Sequence, residues 1–321
     1  IADFSFTSKL DSDYKNAEAS LKLFVYGDEK PASAALYDAE GRKVLDFNAA
    51  AAKKSGSELV WNMKLQGVNL WSAEKPYLYT LVMKAGEDIR AKKVGFKEQK
   101  VVGNTFYVNG KPIKMKGVNR HETDPENGRT VSLDLMIRDI ELMKLYNINT
   151  VRTSHYPDHH LWYDLCDRYG IYVIAEANVE GHEYGFGKDG IGRFKEWEHS
   201  IVERNLRNVL SFRNNPSVTM WSMGNETGHG ICFQSALKEV KKLDPTRVLH
   251  WERGNKDAEV DSSMYPSVEW VEKRGKLGDQ APGSADLVQK YETSLSVHTA
   301  GKPYIMCEFA HAMGNAMGNF K

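Results

Sequence analysis

From residue 113 onwards, short apolar runs alternate with segments whose apolar residues recur at the helical period. The strand-like runs are Ile113–Val118, Ile148–Arg152, Ile171–Ala177, Val218–Met223, Val248–Trp251, Ser263–Tyr265 and Tyr304–Cys307. The helical periods lie around 133–146, 159–169, 197–212, 233–243 and 285–291. The alternation predicts seven parallel strands joined by crossover helices, in either an open doubly wound sheet or a closed barrel.

The end of the first strand separates these two folds. An open nucleotide-binding sheet needs a Gly-rich turn there, whereas this strand ends in Gly117–His121, without a G-x-G-x-x-G motif or a P-loop. Polar residues follow several strand ends, where a (β/α)8 barrel places its active site. We therefore predict an α/β fold, a TIM barrel at 101–321. We expect it to lack its last strand, because an intact barrel needs about 250 residues.

Residues 1–100 show a different pattern, in which apolar residues recur at every second position. Leu21, Leu23 and Val25 occupy every second position of one run, and Trp61 and Met63 do the same in another. Glycines separate such runs at strand-and-turn spacing. This pattern predicts a small antiparallel sandwich. A hairpin at 107–112, with Asn-Gly placed for a tight turn, follows it.

Charge and composition exclude several classes of protein. Lys+Arg and Asp+Glu number 43 each, so no net charge attracts nucleic acid or anionic lipid. The sequence contains no run of 18 apolar residues, so it predicts no membrane span. Cys166, Cys232 and Cys307 lie in apolar segments and fit no metal-ligand spacing, so we predict buried free thiols. They leave the compartment open but favour the cytoplasm over the periplasm.

Both ends of the sequence are unusual. The chain begins at Ile1 without an initiator Met or a signal peptide, and it stops at Lys321 directly after a motif-rich stretch. We expect it to be part of a longer protein.

Two glutamates end apolar strands and are the strongest candidates for catalysis. Glu226 follows Met220–Asn225, and Glu308 follows Tyr304–Cys307. A buried carboxylate is costly unless it is paired, hydrogen-bonded or used. By strand count the two lie on strands four and seven, nearly opposite each other, as in a retaining glycosidase whose carboxyl groups stand roughly 5–5.5 Å apart. Asn225 is placed to bind a sugar 2-hydroxyl, but the sequence alone does not say which glutamate is the acid/base.

Several motifs resemble those of glycoside hydrolase family 2, specifically of large multidomain bacterial β-galactosidases. The matching segments are Leu70–Tyr79, Gly117–Glu122, Val151–Pro157, Trp221–Gly230 and Cys307–Asn315. The first resembles the immunoglobulin-like domain of the family. The resemblance covers nearly the whole chain and implies retaining hydrolysis of terminal β-D-galactosides.

The resemblance also assigns roles to the candidate residues. It implies Glu226 as the acid/base and Glu308 as the nucleophile. It places sugar or transition-state contacts at a further set of residues, namely His121, Arg152, His155, Asn225, Tyr265 and His311. It further implies that the intact protein is a homo-oligomer.

A metal site is implied as well. In relatives, a Glu-x-His pair after the third strand, here Glu180 and His182, binds Mg²⁺ together with the acid/base, Glu226. Two carboxylates and one imidazole leave room for the waters that Mg²⁺ retains, whereas no further Cys or His completes a zinc tetrahedron. A monovalent-cation site is expected in the intact protein but not in this segment.

Three alternatives stay open. β-Glucuronidases and β-mannosidases share the fold and the chemistry, although we find no cluster of cations dedicated to a sugar carboxylate. The missing eighth strand allows an inactive carbohydrate-binding fragment. The cluster of Glu180, His182 and Glu226 allows a metal-dependent hydrolase.

Overall fold

The structure is a computed structural model, and it describes residues 1–26, 32–48, 52–184, 188–276, 286–291, 294–299, 301–310, 312–313 and 316–317. Within these ranges no helix is long and apolar enough to cross a membrane. Cys166, Cys232 and Cys307 are buried free thiols, as predicted.

The N-terminal part is a sandwich of two antiparallel sheets. Its strands are β1 (Asp3–Leu10), β2 (Ala17–Phe24), β3 (Ala32–Tyr37), β4 (Lys43–Phe47), β5 (Lys53–Ser55), β6 (Glu58–Leu65), β7 (Tyr79–Ala85) and β8 (Asp88–Val94). They pair in the orders β1-β2-β6-β5 and β4-β3-β7-β8. Every second side chain of β2 is buried, which places Leu21 and Leu23 in one apolar core with Trp61. The predicted sandwich is confirmed.

A small antiparallel sheet connects the sandwich to the next domain. It contains β9 (Gln99–Val102), β10 (Thr105–Val108) and β11 (Lys111–Pro112). Asn109 and Gly110 join β10 to β11 with φ of 50° and 73°. A two-residue turn with both φ values positive favours Asn-Gly, so the predicted hairpin is confirmed.

The sandwich is anchored to the barrel by a buried tryptophan. The Trp71 Nε1 donates to the backbone oxygen of Asp167 at 2.8 Å, and its ring meets that of Tyr172 edge-on. Gly170, with a φ of 77°, lies against the backbone of Ala73, which follows Trp71 in the chain. A Cβ at Gly170 would lie 2.2 Å from the Ala73 oxygen. The two domains therefore pack closely at the amino-terminal end of the barrel strands.

The second domain alternates strands with helices. In chain order they are β12 (Gly117–Arg120), α1 (Leu133–Leu145), β13 (Thr150–Thr153), α2 (His160–Tyr169), β14 (Tyr172–Glu176), α3 (Glu198–Phe212), β15 (Val218–Ser222), α4 (Ile231–Leu243), β16 (Val248–His250), β17 (Asp261–Met264), α5 (Val268–Lys276), β18 (Asp286–Tyr291), β19 (Ser294–Thr299), β20 (Tyr304–Glu308), β21 (Ala312–Met313) and β22 (Ala316–Met317). Strands β12 to β16 form one parallel sheet in chain order, and β17 pairs in parallel with β20. Within the described ranges these are the seven predicted barrel strands, so the domain is a TIM barrel without an eighth strand there.

The strand edges of β12 and β20 face each other without a backbone ladder in the described residues. The Asn119 side-chain amide donates to the Cys307 backbone oxygen at 3.0 Å across this seam. A cavity of about 1100 Å³ opens beside it and reaches Arg152 and Glu308. The seam brings the seventh strand back beside the first.

Two local predictions are wrong. The helix predicted at 285–291 is strand β18, which pairs residue by residue with β19. A short run with Leu287, Val288 and Tyr291 fits either period, and the nearby partner strand decided between them. The first barrel strand begins at Gly117 rather than at Ile113, because Lys111–Pro112 already belongs to the hairpin.

Candidate active site

The carboxyl ends of the barrel strands bring the polar side chains together. Every residue of β14 is buried, including Glu176 at its end, whereas β20 is mostly half-buried and ends at the half-buried Glu308. Glu226 and Tyr265 follow β15 and β17, each with a φ of 46°. Positive φ is uncommon for residues other than glycine and concentrates at functional sites.

The turn that carries Glu226 is held by backbone hydrogen bonds to the segment that follows β14. The Asn225 amide donates to the Val179 oxygen at 2.9 Å, and the Gly181 amide donates to the Asn225 oxygen at 3.2 Å. Gly224 has a φ of 147°, and a Cβ there would lie 2.6 Å from the Val179 oxygen. This close approach holds Glu226 beside the segment that carries Glu180 and His182.

Glu308 receives hydrogen bonds on both carboxylate oxygens. The Arg152 Nη1 lies 3.1 Å from Oε1, and the Tyr265 hydroxyl donates to Oε2. His155 Nε2 lies 3.7 Å from Oε1. The side chain is 13% exposed, so it is open to a ligand while its charge is stabilised by fixed donors.

Arg152 lies at the centre of this group and is buried. Its Nε and Nη2 bind the two oxygens of Glu176 at 2.7 and 3.1 Å, and Nη2 also reaches Asn225 Oδ1 at 2.7 Å. Burial opposes its charge, but Glu176 and Glu308 raise the pKa of the guanidinium above its usual value. One cation therefore connects Glu308 to the residue next to Glu226.

The surroundings of Glu226 are more open. Its Oε2 lies 2.5 Å from His182 Nδ1, and the His182 side chain is 55% exposed. Glu180 accepts from the Asn225 side-chain amide at 2.9 Å and from the His182 backbone amide at 3.2 Å. Burial raises the pKa of Glu180, partly offset by the bond from Asn225.

These three residues do not form a metal-binding set as they stand. Glu226 is hydrogen-bonded to His182, and both oxygens of Glu180 accept hydrogen bonds. Among the residues described, no group of three or more His, Cys, Asp and Glu side chains is arranged to hold a metal ion. The Mg²⁺ ligand set stays a prediction.

Two histidines line the site beside Glu308. His155 Nδ1 lies 2.8 Å from Glu176 Oε1, and the His121 ring meets that of His155 edge-on at 5.4 Å. His121 Nδ1 lies 3.3 Å from the Tyr156 hydroxyl. Burial, with the charges of His155 and Arg129, lowers the pKa of His121.

The structure thus brings the predicted residues into one continuous group, except that His311 lies outside the described residues. Their individual roles stay predictions.

Sequence reasoning assigned no role to Glu176, although it ends an apolar strand as Glu308 does. It also missed Glu252 and Arg253 after β16. Burial raises the pKa of Glu252 to about 7, and Arg253 Nη2 lies 4.0 Å from Glu226 Oε1.

Comparison with solved structures finds similar folds among β-glucuronidases. The enzyme of Bifidobacterium dentium, complexed with coumarin-3-O-glucuronide, superposes with a TM-score of 0.74 at 25% identity, over 86% of this chain and 48% of that chain. The enzyme of Dictyoglomus thermophilum gives 0.67 at 25% identity, over 83% and 48%. That of Ruminococcus gnavus, with an N1-substituted uronic isofagomine, gives 0.70 at 23% identity, over 86% and 49%. The chain spans about half the length of these enzymes.

Family models cover nearly the whole sequence. The model described as "Glycosyl hydrolases family 2" matches residues 1–97, and "Glycosyl hydrolases family 2, TIM barrel domain" matches residues 99–321. The barrel model alone covers more than half of the chain. Together with a barrel whose strand ends carry Glu226 and Glu308, these matches show that the chain belongs to glycosyl hydrolase family 2.

Proposed function

We propose that this chain carries the active site of a retaining β-galactosidase, with Glu308 as the nucleophile and Glu226 as the acid/base. The carrying observation is the guanidinium of Arg152, which binds Glu308 at 3.1 Å and Asn225, the neighbour of Glu226, at 2.7 Å. A single buried group thus ties the two strand ends together. Two carboxyl groups on opposite sides of one sugar are what double displacement requires.

The proposed reaction has two steps. A Glu308 oxygen bonds to the anomeric carbon as the glycosidic bond breaks, and Glu226 gives its proton to the departing oxygen. Glu226 then takes a proton from a water whose oxygen attacks the anomeric carbon and releases Glu308. Arg152 and Tyr265 donate to the carboxylate that leaves in the second step and is needed again in the next turnover.

The identity of the sugar separates two candidates. The motifs around Glu226 and Glu308 resemble β-galactosidases, whereas the structural neighbours are β-glucuronidases at 25% identity. A glucuronide carries a carboxylate, which a cation of the site would have to bind. Arg253, near Glu226, already binds Glu252. Arg129, near His121, already donates to the Tyr156 hydroxyl. We therefore favour the galactoside, with the glucuronide as the second candidate.

A panel of nitrophenyl β-galactoside, β-glucuronide and β-mannoside tests this proposal. We expect kcat/KM to be highest for the galactoside. A higher value for the glucuronide would replace the substrate but keep the mechanism.

Covalent trapping tests the mechanism itself. A 2-fluoro sugar slows the second step, so mass spectrometry of the digested protein should find the label on Glu308. A label elsewhere, or none with a sugar that is turned over, would contradict double displacement at Glu308. The homo-oligomer, the Mg²⁺ site and the monovalent-cation site of the intact protein remain proposals drawn from the resemblance.

A further inference from the structure

A third carboxylate lies beneath the site and takes no part in the proposed chemistry. Glu176 ends β14, and none of its side chain is exposed. It accepts hydrogen bonds from a set of donors, namely Arg152 Nε, Arg152 Nη2, His155 Nδ1 and Ser222 Oγ. A carboxylate offers about four lone-pair sites, and those donors occupy them. Burial alone would raise its pKa, but Arg152 and His155 lower the pKa of Glu176 to about 2.

Behind Glu176, a chain of hydrogen bonds runs in one direction. Ser222 Oγ lies 2.6 Å from Glu176 and 2.8 Å from His250 Nδ1, and His250 Nε2 lies 2.9 Å from Ser262 Oγ. Burial lowers the pKa of His250 to about 4, so its ring is neutral at neutral pH. Because the Ser222 hydroxyl donates to the carboxylate, it accepts from His250 Nδ1–H, and His250 Nε2 accepts from Ser262. Every hydrogen in this chain points towards Glu176.

In front of Glu176 lie the two groups that approach Glu308 Oε1. Arg152 presents Nη1 to that oxygen at 3.1 Å while its other nitrogens hold Glu176. His155 bonds Glu176 through Nδ1, and its Nε2 faces Glu308 Oε1 at 3.7 Å. An ionised carboxylate accepts only, so His155 keeps a proton on Nδ1 whether its ring is neutral or charged.

We propose that Glu176 is a positioning residue for hydrolysis. It locks the Arg152 fork and fixes the His155 ring so that Nδ1 stays protonated and Nε2 points into the site, towards Glu308 and the sugar hydroxyls. This inference rests on the proposed function. Glu176 cannot touch the sugar, because its carboxylate is enclosed by its donors.

Gln in place of Glu176 would keep the size but not the pattern. One oxygen becomes an NH₂ group, which would face Arg152 N–H or the Ser222 hydroxyl, both of them donors. We expect Glu176→Gln to lower kcat/KM about 100-fold, mainly through kcat, because small displacements of catalytic groups have effects of that size. We also expect ¹⁵N NMR of histidine-labelled protein to show that His155 Nδ1 stays protonated from about pH 5 to about pH 8 in the wild type, and that the variant loses this preference.

Asp167→Asn is the matched control. Asp167 is a buried carboxyl in the same barrel, bound to Asn215 and to the Ser217 amide near the opposite end of β15. It should lower the melting temperature as Glu176→Gln does, yet leave kcat/KM and the His155 signal unchanged. If Glu176→Gln does not fold, Ser222→Ala removes one donor and keeps the carboxylate. It should give a smaller loss of kcat/KM with the His155 signal intact.

Wild-type kcat/KM and an unchanged His155 signal in folded Glu176→Gln would overturn the proposal, as would wild-type kcat/KM in Ser222→Ala. Failure of the proposed function has a different signature. No glycoside of the panel would be hydrolysed by the wild type, while the NMR of the unliganded protein would still report the His155 tautomer.

Discussion

The two sides of the site hold the same functional group in different ways. Glu308 and Glu226 are both 13% exposed. Glu308 receives its hydrogen bonds from Arg152 and Tyr265, and Arg152 is anchored in the barrel interior. Glu226 is bound to His182, a side chain that is mostly exposed. The two carboxylates therefore differ in how their partners are anchored and not in their exposure.

This difference matches the chemistry of the two roles. A nucleophile must remain ionised, which fixed donors favour. An acid/base gains and loses a proton in each turnover, and the contact of Glu226 with the mostly exposed His182 is compatible with that change. The assignment of Glu308 and Glu226 to these two roles stays a prediction.

The largest effect should come from removing each carboxylate in turn. Glu308→Gln should lower kcat by at least about 10⁴-fold for every substrate, because no covalent intermediate forms. Glu226→Gln should do the same for a poor leaving group but not for dinitrophenyl glycosides, whose leaving group departs without a proton. Stopped-flow measurements on Glu226→Gln should then show a burst of dinitrophenol, since the second step lacks its base. A burst in Glu308→Gln instead would reverse the two assignments.

Arg152→Lys should have the next largest effect. A lysine is a single point of charge and cannot reach Glu176, Asn225 and Glu308 together. We expect kcat/KM to fall about 100- to 1000-fold, and the free energy of unfolding to fall by about 1.5–3 kcal/mol for each charged hydrogen bond that the lysine cannot replace. Arg247→Lys, at a buried arginine paired with Asp244 away from the site, is the control. It should lose stability in urea titrations but keep kcat/KM.

We expect Mg²⁺ to bind beside Glu226, at Glu180 and His182, and not beside Glu308. To bind the ion, Glu226 must exchange its bond to His182 for the metal. Calorimetric titration should show Mg²⁺ binding that Glu180→Gln weakens about tenfold or more, while Tyr265→Phe leaves it unchanged. An absence of binding heat in the wild type, with no response of activity to a chelator, would remove Mg²⁺ from the site.

The smallest effect concerns how His250, behind Glu176, changes the free energy of unfolding at acid pH. Burial, then the charge of Arg152, lowers the pKa of His250 from 6.5 to about 4. Below pH 6.5 the unfolded chain therefore binds a proton that the folded protein refuses until about pH 4, so the free energy of unfolding falls as pH drops through this window. Its slope from this residue is at most about 1.4 kcal/mol per pH unit.

His250→Gln isolates this contribution. Glutamine keeps a donor and an acceptor for Ser222 and Ser262 but does not titrate. Urea unfolding at several pH values should show a smaller loss in acid for the variant than for the wild type. Parallel pH profiles of the two proteins would show that the pKa of His250 is the same in the folded and unfolded protein, which would contradict the prediction.

Much of the fold was predictable because burial leaves a periodic trace in the sequence. The alternation around Leu21 and Trp61 predicted the sandwich, and the Asn109-Gly110 turn predicted the hairpin that follows it. The period gave a wrong prediction where a run was short, at 285–291, and where the hairpin took the first residues of a barrel strand. Helix α5 was missed although Ser267 caps it, because its nine residues carry few apolar positions.

The sequence by itself determined which residue types end the strands, and hence that carboxylates, histidines and an arginine meet at one rim. Only the tertiary structure decided how they pair. The Arg152 fork on Glu176, the bond from Tyr265 to Glu308 and the approach of Arg253 to Glu226 join residues far apart in the chain. Hydrogen bonds depend on distances of a few tenths of an ångström and on direction, and neither is encoded in the spacing of residues along the chain.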